Sequence, residues 1–202
     1  EGYNRIAGVD EAGRGPLAGP VAVGCVVLPE DARLPGLDDS KRMTPKSREA
    51  MERRIIETAE AWSVVLVGHA EIDELGILGA VLEGMRGAVE QLAVRPDFAI
   101  VDGNIDPGLS CRARAVVDGD ARCLSVAAAS VLAKCARDRF MTGMDARYPG
   151  YGFARHKGYG CRAHIDAIRR LGPCGIHRFS FRTVIEEAPE GTVRAALEAR
   201  LR

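Results

Sequence analysis

IAGVDEAGRGPLAGPVAVGCVVL, residues 6–28, sets two apolar runs on either side of a glycine- and proline-rich turn. Ile6–Val9 and Val21–Leu28 read as the two strands of a hairpin, because β-branched runs separated by chain-bending residues favour that pairing. The first run ends on two adjacent acids, Asp10 and Glu11, and the turn that follows carries Gly13, Arg14 and Gly15. Neighbouring carboxylates repel. A plain surface hairpin needs neither that pair nor a turn in which the backbone lies open to a ligand. The stretch therefore starts both a sheet and a site.

Outward from it, Thr44-Pro45 is an N-cap followed by proline at the first helical position, which opens a helix through about Ala61 with Met51, Ile55 and Ile56 inward. Ser63–Gly68 (SVVLVG) reads as a strand. Leu75, Leu78, Leu82, Met85, Val89 and Leu92 recur at three-to-four spacing and predict a helix over 75–92. Phe98–Val101 (FAIV) is a short buried strand with Asp102 at its end, and Arg114–Val117 is a further strand. Ser125–Met144 is a long helix whose small-residue run, SVAAASVLAK, permits close packing. Ile165–Leu171 is helical and stops at Gly172-Pro173, and the last ~15 residues read as a charged helix. Strands and helices mixed through one chain without repeats predict an α/β layer fold with a mixed sheet.

At 202 residues, 47% hydrophobic and 28% charged, the chain has the composition of an ordinary soluble domain able to bury a sizeable core. No apolar run approaches the ~20 residues of a membrane span, and the N-terminus does not read as a secretory signal, so a cytoplasmic location and no membrane partner are expected. Cys25, Cys111, Cys123, Cys135, Cys161 and Cys174 lack zinc-like spacing and read as buried thiols. The formal net charge of zero conceals an asymmetry. Residues 1–146 carry 17 Lys/Arg against 23 acids, whereas residues 147–182 carry eight Lys/Arg against Asp166 alone. That pattern suits either a basic surface for a polyanion or a merely solvated basic face.

Asp10 and Glu11 end the first strand, Asp102 ends another in IVDGN, and Asp120, in VVDGDAR, lies between a strand and the long helix. Ligand sites of open α/β sheets gather at strand ends, so these four acids are candidates to converge. Asp before Gly is also an ordinary turn residue, and Asp120 also suits a helix cap. Side chains alternate along a strand, so Asp10 and Glu11 share one site only if the strand ends at Asp10 or if Glu11 contributes otherwise, for instance through its carbonyl. Four carboxylates together raise one another's pKa unless cations intervene, and oxygen-only ligands select Mg²⁺ or Mn²⁺. Two such ions ~3.5–4 Å apart activate a water and stabilise the leaving oxygen in phosphoryl displacement.

VDEAGRGPLAGPV, LDDSK, IVDGN, GDAR with AAASVLAKCARD, YGFARHKGYG and IHRFSF, taken in order from about Ile6 to Arg182, resemble the type 2 ribonuclease H family in its bacterial single-chain form, ribonuclease HII. The resemblance implies a ribonuclease H-like fold: a five-stranded mixed sheet flanked by helices. It also leads us to expect a catalytic core over 1–146 and a small basic C-terminal helical extension over 147–202, packed on the core as one structural unit. It implies an endoribonuclease that cuts the RNA strand of RNA–DNA hybrids and 5′ of single ribonucleotides in duplex DNA. Asp10, Glu11, Asp102 and Asp120 would be the metal-binding catalytic acids, using two Mg²⁺ or Mn²⁺ ions. The backbone of Gly13-Arg14-Gly15 would lie against the 2′-hydroxyl, the group that separates RNA from DNA. Tyr159 would stack on the following deoxyribose, and Ser40, Lys41 and Asn104 would touch the backbone near the cut. Cys161 stands where the family commonly has threonine.

Other readings keep part of this pattern. Lys134 and Arg137, three apart on one helix face, suit phosphate binding, and His156, Lys157, His177 and Arg178 suit either phosphate contact or structural hydrogen bonds. A DNA-directed nuclease or junction resolvase would share the acids but has no use for a 2′-hydroxyl reader. A non-catalytic hybrid-binding module would use the basic third alone. No sliding-clamp motif is recognised in the sequence, and a monomer is expected.

Overall fold

In the computed structural model, which describes residues 2–200, five strands form one mixed sheet in the order β3-β2-β1-β4-β5. β1 (Ile6–Ala12), β2 (Val21–Val27) and β3 (Ala61–Val67) form an antiparallel meander, and β4 (Phe98–Asp102) and β5 (Arg112–Val116) extend it from β1 in parallel. The helices are α1 (Pro45–Thr58), α2 (His69–Glu90), α3 (Gly119–Arg122), α4 (Leu124–Arg147), α5 (Phe153–His156), α6 (Arg162–Leu171), α7 (Arg182–Glu187) and α8 (Thr192–Arg200). The mixed sheet expected from the sequence is present. By contact the chain divides into two compact units. One comprises the stretch ending at Ala12 with Val21–Val67 and Val81–Arg137, and the other comprises Gly13–Pro20, Gly68–Ala80 and the stretch from Asp138 onward.

In the first unit β2 is buried along its whole length, as a strand covered on both faces must be. On one face α4 lies directly on the backbone. A methyl group on Gly8 would stand 2.1 Å from the Ser125 carbonyl carbon, and one on Gly24 would stand 2.2 Å from the Ala129 carbonyl oxygen. The alanine-rich start of α4 is the complement of those glycines. Val26, Met51, Ile55, Val131 and Leu132 fill the space around it. On the opposite face a methyl on Gly84 of α2 would meet Val23 at 2.7 Å, so that helix is seated just as closely.

Two helices depart from their expected limits. α1 ends at Thr58 because the Glu60 N–H already donates to Val27 O beside β3, and Ile56 is exposed while Met51 and Ile55 are buried. α2 begins at His69 and is broken at Gly76 (φ 71°), which resets the phase of its apolar stripe and leaves Leu75 and Leu78 exposed.

The second unit is organised around residues 13–20. Leu17 N–H donates to Gly158 O (2.8 Å), Gly19 N–H to Ile176 O (2.9 Å), and Arg178 N–H to Leu17 O (2.9 Å). Ala18, Met141, Tyr151, Phe153, Ala167 and Ile176 form one apolar cluster, and Leu17, Ile168, Phe179 and Val184 another. Asp73 accepts from the N–H groups of Phe179 and Ser180, which ties Gly68–Ala80 to this unit. All six cysteines are free, but only Cys25 and Cys135 are buried; Cys111, Cys123 and Cys174 are partly buried, and Cys161, at the N-cap of α6, is exposed. No helix among the described residues is long and apolar enough to cross a membrane.

Candidate active site

The parallel register of β1 and β4 pairs Val9 with Val101, so the residues that follow, Asp10 and Asp102, end up on adjacent strands. The Gly119 N–H donates to the Asp102 carboxylate at 2.7 Å, which fixes the start of α3 at the end of β4, with Asp120 in its first turn. Asp118 (φ 54°) occupies the cap position, so Asp120 is not a helix cap.

β1 remains regular through Ala12, with Asp10 opposite Gly24 and Glu11 opposite Val23. The alternative in which the strand ends at Asp10 is thereby removed. Asp10 shares the α4 face with Gly8 and Gly24, while the Glu11 side chain leaves on the face of Val23. At Asp10 it is the main chain of Glu11 that makes contact: its N–H donates to Asp10 Oδ1 at 2.7 Å.

Asp10 is 5% exposed. Burial raises its pKa well above the usual carboxylate value, and the charges of Glu11 and Asp102 raise it further; the Ser130 hydroxyl and the Glu11 N–H offset part of that. The Asp120 pKa is also raised, first by burial and then by Asp102, with Lys41 opposing. For Lys41 burial acts downward, but Asp39, Asp120, Asp10 and Asp102 outweigh it, so its ammonium is held more firmly charged. One cation thus answers the field of several carboxylates.

Ser130 escaped the reading of the sequence, where a lone hydroxyl inside an alanine-rich run signals nothing. It lies one residue beyond the close contact of Ala129 with Gly24 and reaches both Asp10 and Ser40, the latter at 2.9 Å between hydroxyl oxygens. Ser40 is 3% exposed, so its hydroxyl supports this network and is not available as a surface contact. Arg48, also buried, donates to the Ser40 and Met43 carbonyls at 2.8 and 2.7 Å and holds the DDSK loop that carries Lys41. Lys41 and Asn104 are exposed.

Among the described residues no three His, Cys, Asp or Glu side chains are close enough to form a ready-made metal cage. The chemistry of the donors nevertheless fits a hard divalent ion, since the acids are oxygen-only and the pKa values of Asp10 and Asp120 are raised by burial and by neighbouring carboxylates, which a bound cation would relieve.

In the second unit Gly13 (φ 99°) is buried, and Arg14 and Gly15 are exposed. A methyl on Gly15 would stand 3.9 Å from Tyr159 Cε1, so the turn and the tyrosine ring are neighbours, and Tyr159 is 45% exposed. The Tyr159 carbonyl accepts from the Cys161 N–H (2.8 Å) and lies 3.0 Å from His164 Nδ1. The Cys174 N–H donates to His177 Nδ1 at 2.9 Å, which leaves the proton on His177 Nε2. That nitrogen donates to His164 Nε2 at 3.1 Å, and His164 Nδ1–H then donates to Tyr159 O. A buried histidine pair thus holds the tyrosine loop by its main chain.

Part of the basic third is committed internally: His177 and Arg178 are fully buried, and Lys157 Nζ donates to Ala154 O and Thr142 Oγ1. Arg162, Arg169 and Arg182 pair with Asp166, Glu187 and Glu186 at the surface, where their side chains stay exposed. Arg137 is also fully buried, so the proposed phosphate-binding pair with Lys134 is not available at the surface. Helix spacing placed Arg137 on a face but did not reveal that the face points inward.

The family model for ribonuclease HII matches residues 7–184. A ribonuclease HII of Geobacter metallireducens is 50% identical over 185 residues, covering 92% of this chain and 87% of that one. The crystal structure of ribonuclease H2 from Pyrococcus horikoshii OT3 has a TM-score of 0.77 at 30% identity and covers 91% of this chain and 96% of its own. Bst-RNase HIII, solved in complex with Mn²⁺, shares the fold at 16% identity, with a TM-score of 0.63 and coverage of 91% and 68%. The five-stranded mixed sheet is therefore that of the ribonuclease H-like fold, and with half its residues shared across almost its full length with a curated member, this chain belongs to the ribonuclease HII family.

Proposed function

We propose that the chain is a ribonuclease H, an endoribonuclease that cuts the RNA strand of RNA–DNA hybrids and cuts 5′ of a single ribonucleotide in duplex DNA, leaving 3′-hydroxyl and 5′-phosphate ends. The observation that carries the chemistry is the buried Asp10, whose pKa is raised by burial and by the neighbouring charges of Glu11 and Asp102. Asp10, Glu11, Asp102 and Asp120 would hold two Mg²⁺ or Mn²⁺ ions, Glu11 by a route other than a side chain on the Asp10 face. When bound, such ions activate water and stabilise the leaving oxygen. The chain's own groups do the rest. Ser130 and the Glu11 N–H orient the Asp10 carboxylate, and the Gly119 N–H orients that of Asp102. Lys41 adds positive charge where phosphate would otherwise be repelled.

Recognition is assigned to the exposed Arg14 and Gly15 of the turn, whose peptide groups suit a 2′-hydroxyl, and to the half-exposed Tyr159 ring beside Gly15, which suits a sugar. Asn104 and Lys41 are assigned to the backbone near the cut. The test is incubation with a duplex bearing one ribonucleotide, with and without Mg²⁺, beside an all-DNA control of the same sequence. Metal-dependent cutting 5′ of the ribonucleotide alone is the expected result. Cutting of the control would indicate a DNA-directed nuclease, and binding without cutting a non-catalytic module.

A further inference from the structure

Arg178 is fully buried, and its guanidinium is spent on the turn. Nε donates to the Gly19 carbonyl at 2.9 Å and Nη1 to that of Arg14 at 2.8 Å. Nη2 donates to the carbonyls of Gly13 at 2.7 Å and Pro20 at 3.1 Å. The guanidinium carbon lies 5.1 Å from the centre of the Phe181 ring. A cation withdrawn from water is costly, and charge-assisted hydrogen bonds of this kind offset the cost. All four acceptors belong to the segment 13–20, so the charge is invested in the shape of that segment.

We propose that Arg178 is the positioning residue of the Gly13-Arg14-Gly15 turn, holding the N–H groups of Arg14 and Gly15 outward; this rests on the reading of that turn as the 2′-hydroxyl contact. The direction follows from the peptide unit, which is planar and trans, so that the carbonyl of one residue and the N–H of the next point in opposite directions. Drawing the Gly13 carbonyl inward turns the Arg14 N–H outward, and drawing the Arg14 carbonyl inward does the same for Gly15. Exposure agrees: Gly13 is buried while Arg14 and Gly15 face solvent. Without such a hold, a turn with two glycines would sample several peptide orientations and lose much of a contact that depends on one aligned donor. Lysine cannot substitute, since a single ammonium on a flexible stem does not span four carbonyls as a planar fork does.

The test uses Arg178→Lys in the full chain, with folding checked by circular dichroism. Affinity is measured without divalent cation, for a duplex bearing one ribonucleotide and for the all-DNA duplex of the same sequence. The wild type prefers the ribonucleotide, and in the variant that preference falls by about tenfold, the worth of one aligned hydrogen bond, while all-DNA affinity stays within about twofold. A merely structural defect lowers both affinities together and leaves their ratio intact, so an unchanged ratio overturns the proposal. Should the variant fail to fold, amide NMR of the wild type decides. The Arg14 and Gly15 resonances must respond to the ribonucleotide duplex and not to all-DNA, and an equal response overturns it. A wild type with no preference removes the reader role of the turn and this inference with it, whereas a preference retained by Arg178→Lys removes Arg178 alone.

Discussion

Replacing Gly24 with alanine tests whether the depth at which α4 lies on the sheet sets the geometry of Asp10. The new methyl would sit 2.2 Å from the Ala129 carbonyl oxygen, 3.0 Å from its carbon and 3.2 Å from its Cα. All three are backbone atoms, so no side chain can swing aside, and the helix must retreat by roughly 1 Å to restore ordinary contact. Overpacking costs ~1–3 kcal/mol, and a clash that only backbone movement relieves belongs at the upper end. About 3 kcal/mol lowers the unfolding temperature of a chain this size by roughly 6–12 °C. Ser130 moves with Ala129, and a displacement of about 1 Å in a supporting group costs on the order of 100-fold in rate. Thermal unfolding followed by circular dichroism reads the first effect, and kcat on a single-ribonucleotide duplex, taken well below the transition, reads the second. Ser130→Ala is the companion variant, since it removes the hydroxyl without moving the helix and should lower kcat with little change in unfolding temperature. A Gly24→Ala protein that melts within about 2 °C of the wild type and cleaves at a comparable rate would refute the claim that this contact holds the site together.

Asp10→Asn should abolish cleavage while sparing duplex binding, and Asp120→Asn likewise; near-normal turnover in either, in a gel assay, removes that acid from the catalytic set. The folded-state pKa of Asp10 is raised, so its contribution to metal-free stability is fully present at low pH and is lost as pH rises through that value. Asp10→Asn should therefore melt at higher temperature than the wild type at pH 7, with the difference vanishing below about pH 4. Mg²⁺ at about 100 times its Kd should stabilise the wild type by ~2.7 kcal/mol and Asp10→Asn by much less, as followed by thermal shift. Tyr159→Ala should harm single-ribonucleotide cleavage more than cleavage of long hybrids, where neighbouring junctions substitute, and equal losses would make the ring structural. His164 is lowered from 6.5 to about 4, chiefly by burial, so stability present above pH 6.5 declines by roughly 3 kcal/mol on acidification to pH 4. NMR titration of its ring protons checks this, and a midpoint near 6.5 would contradict it.

What could be read in advance was whatever leaves a local pattern. Four of the strands announced themselves as short apolar runs, whereas β5, in which arginines alternate with small apolar residues, was placed two residues late, and each of the four acids was visible because it ended a run or preceded a helix. Register was not visible, although the pairing of Val9 with Val101 is what sets Asp10 beside Asp102. Nor was the partnership of Gly8 and Gly24 with the alanines of α4, since glycines in a strand and alanines in a helix show their purpose only when the two surfaces meet. Part of the basic third was illegible for a different reason. A guanidinium that donates to carbonyls uses acceptors that every residue possesses, so the buried Arg178 looked the same as a surface arginine. The kink at Gly76 was hidden by leucines that kept helical spacing on either side of it.

The acidic centre is better understood as a deliberate electrostatic deficit than as a stabilising feature. Parallel pairing forces Asp10 and Asp102 onto adjacent strands, and the Gly119 N–H then fixes α3, with Asp120, against the same strand end. Ordinary stability would favour replacing at least one of these acids, because Asp10 is buried and disfavoured in its charged form. The fold answers instead with partial compensations, a hydroxyl from Ser130, the N–H groups of Glu11 and Gly119 and an ammonium from Lys41, none of which is a full neutralising charge within the set. A group that stabilised the resting protein fully would have to be displaced before a cation could enter, and its removal would subtract from the affinity. Partial compensation keeps the carboxylates oriented yet still electrically unsatisfied. The same logic separates two kinds of cation in the chain: the buried Arg178 guanidinium donates to four carbonyls of one segment, whereas Lys41 remains exposed in the field of Asp39, Asp120, Asp10 and Asp102.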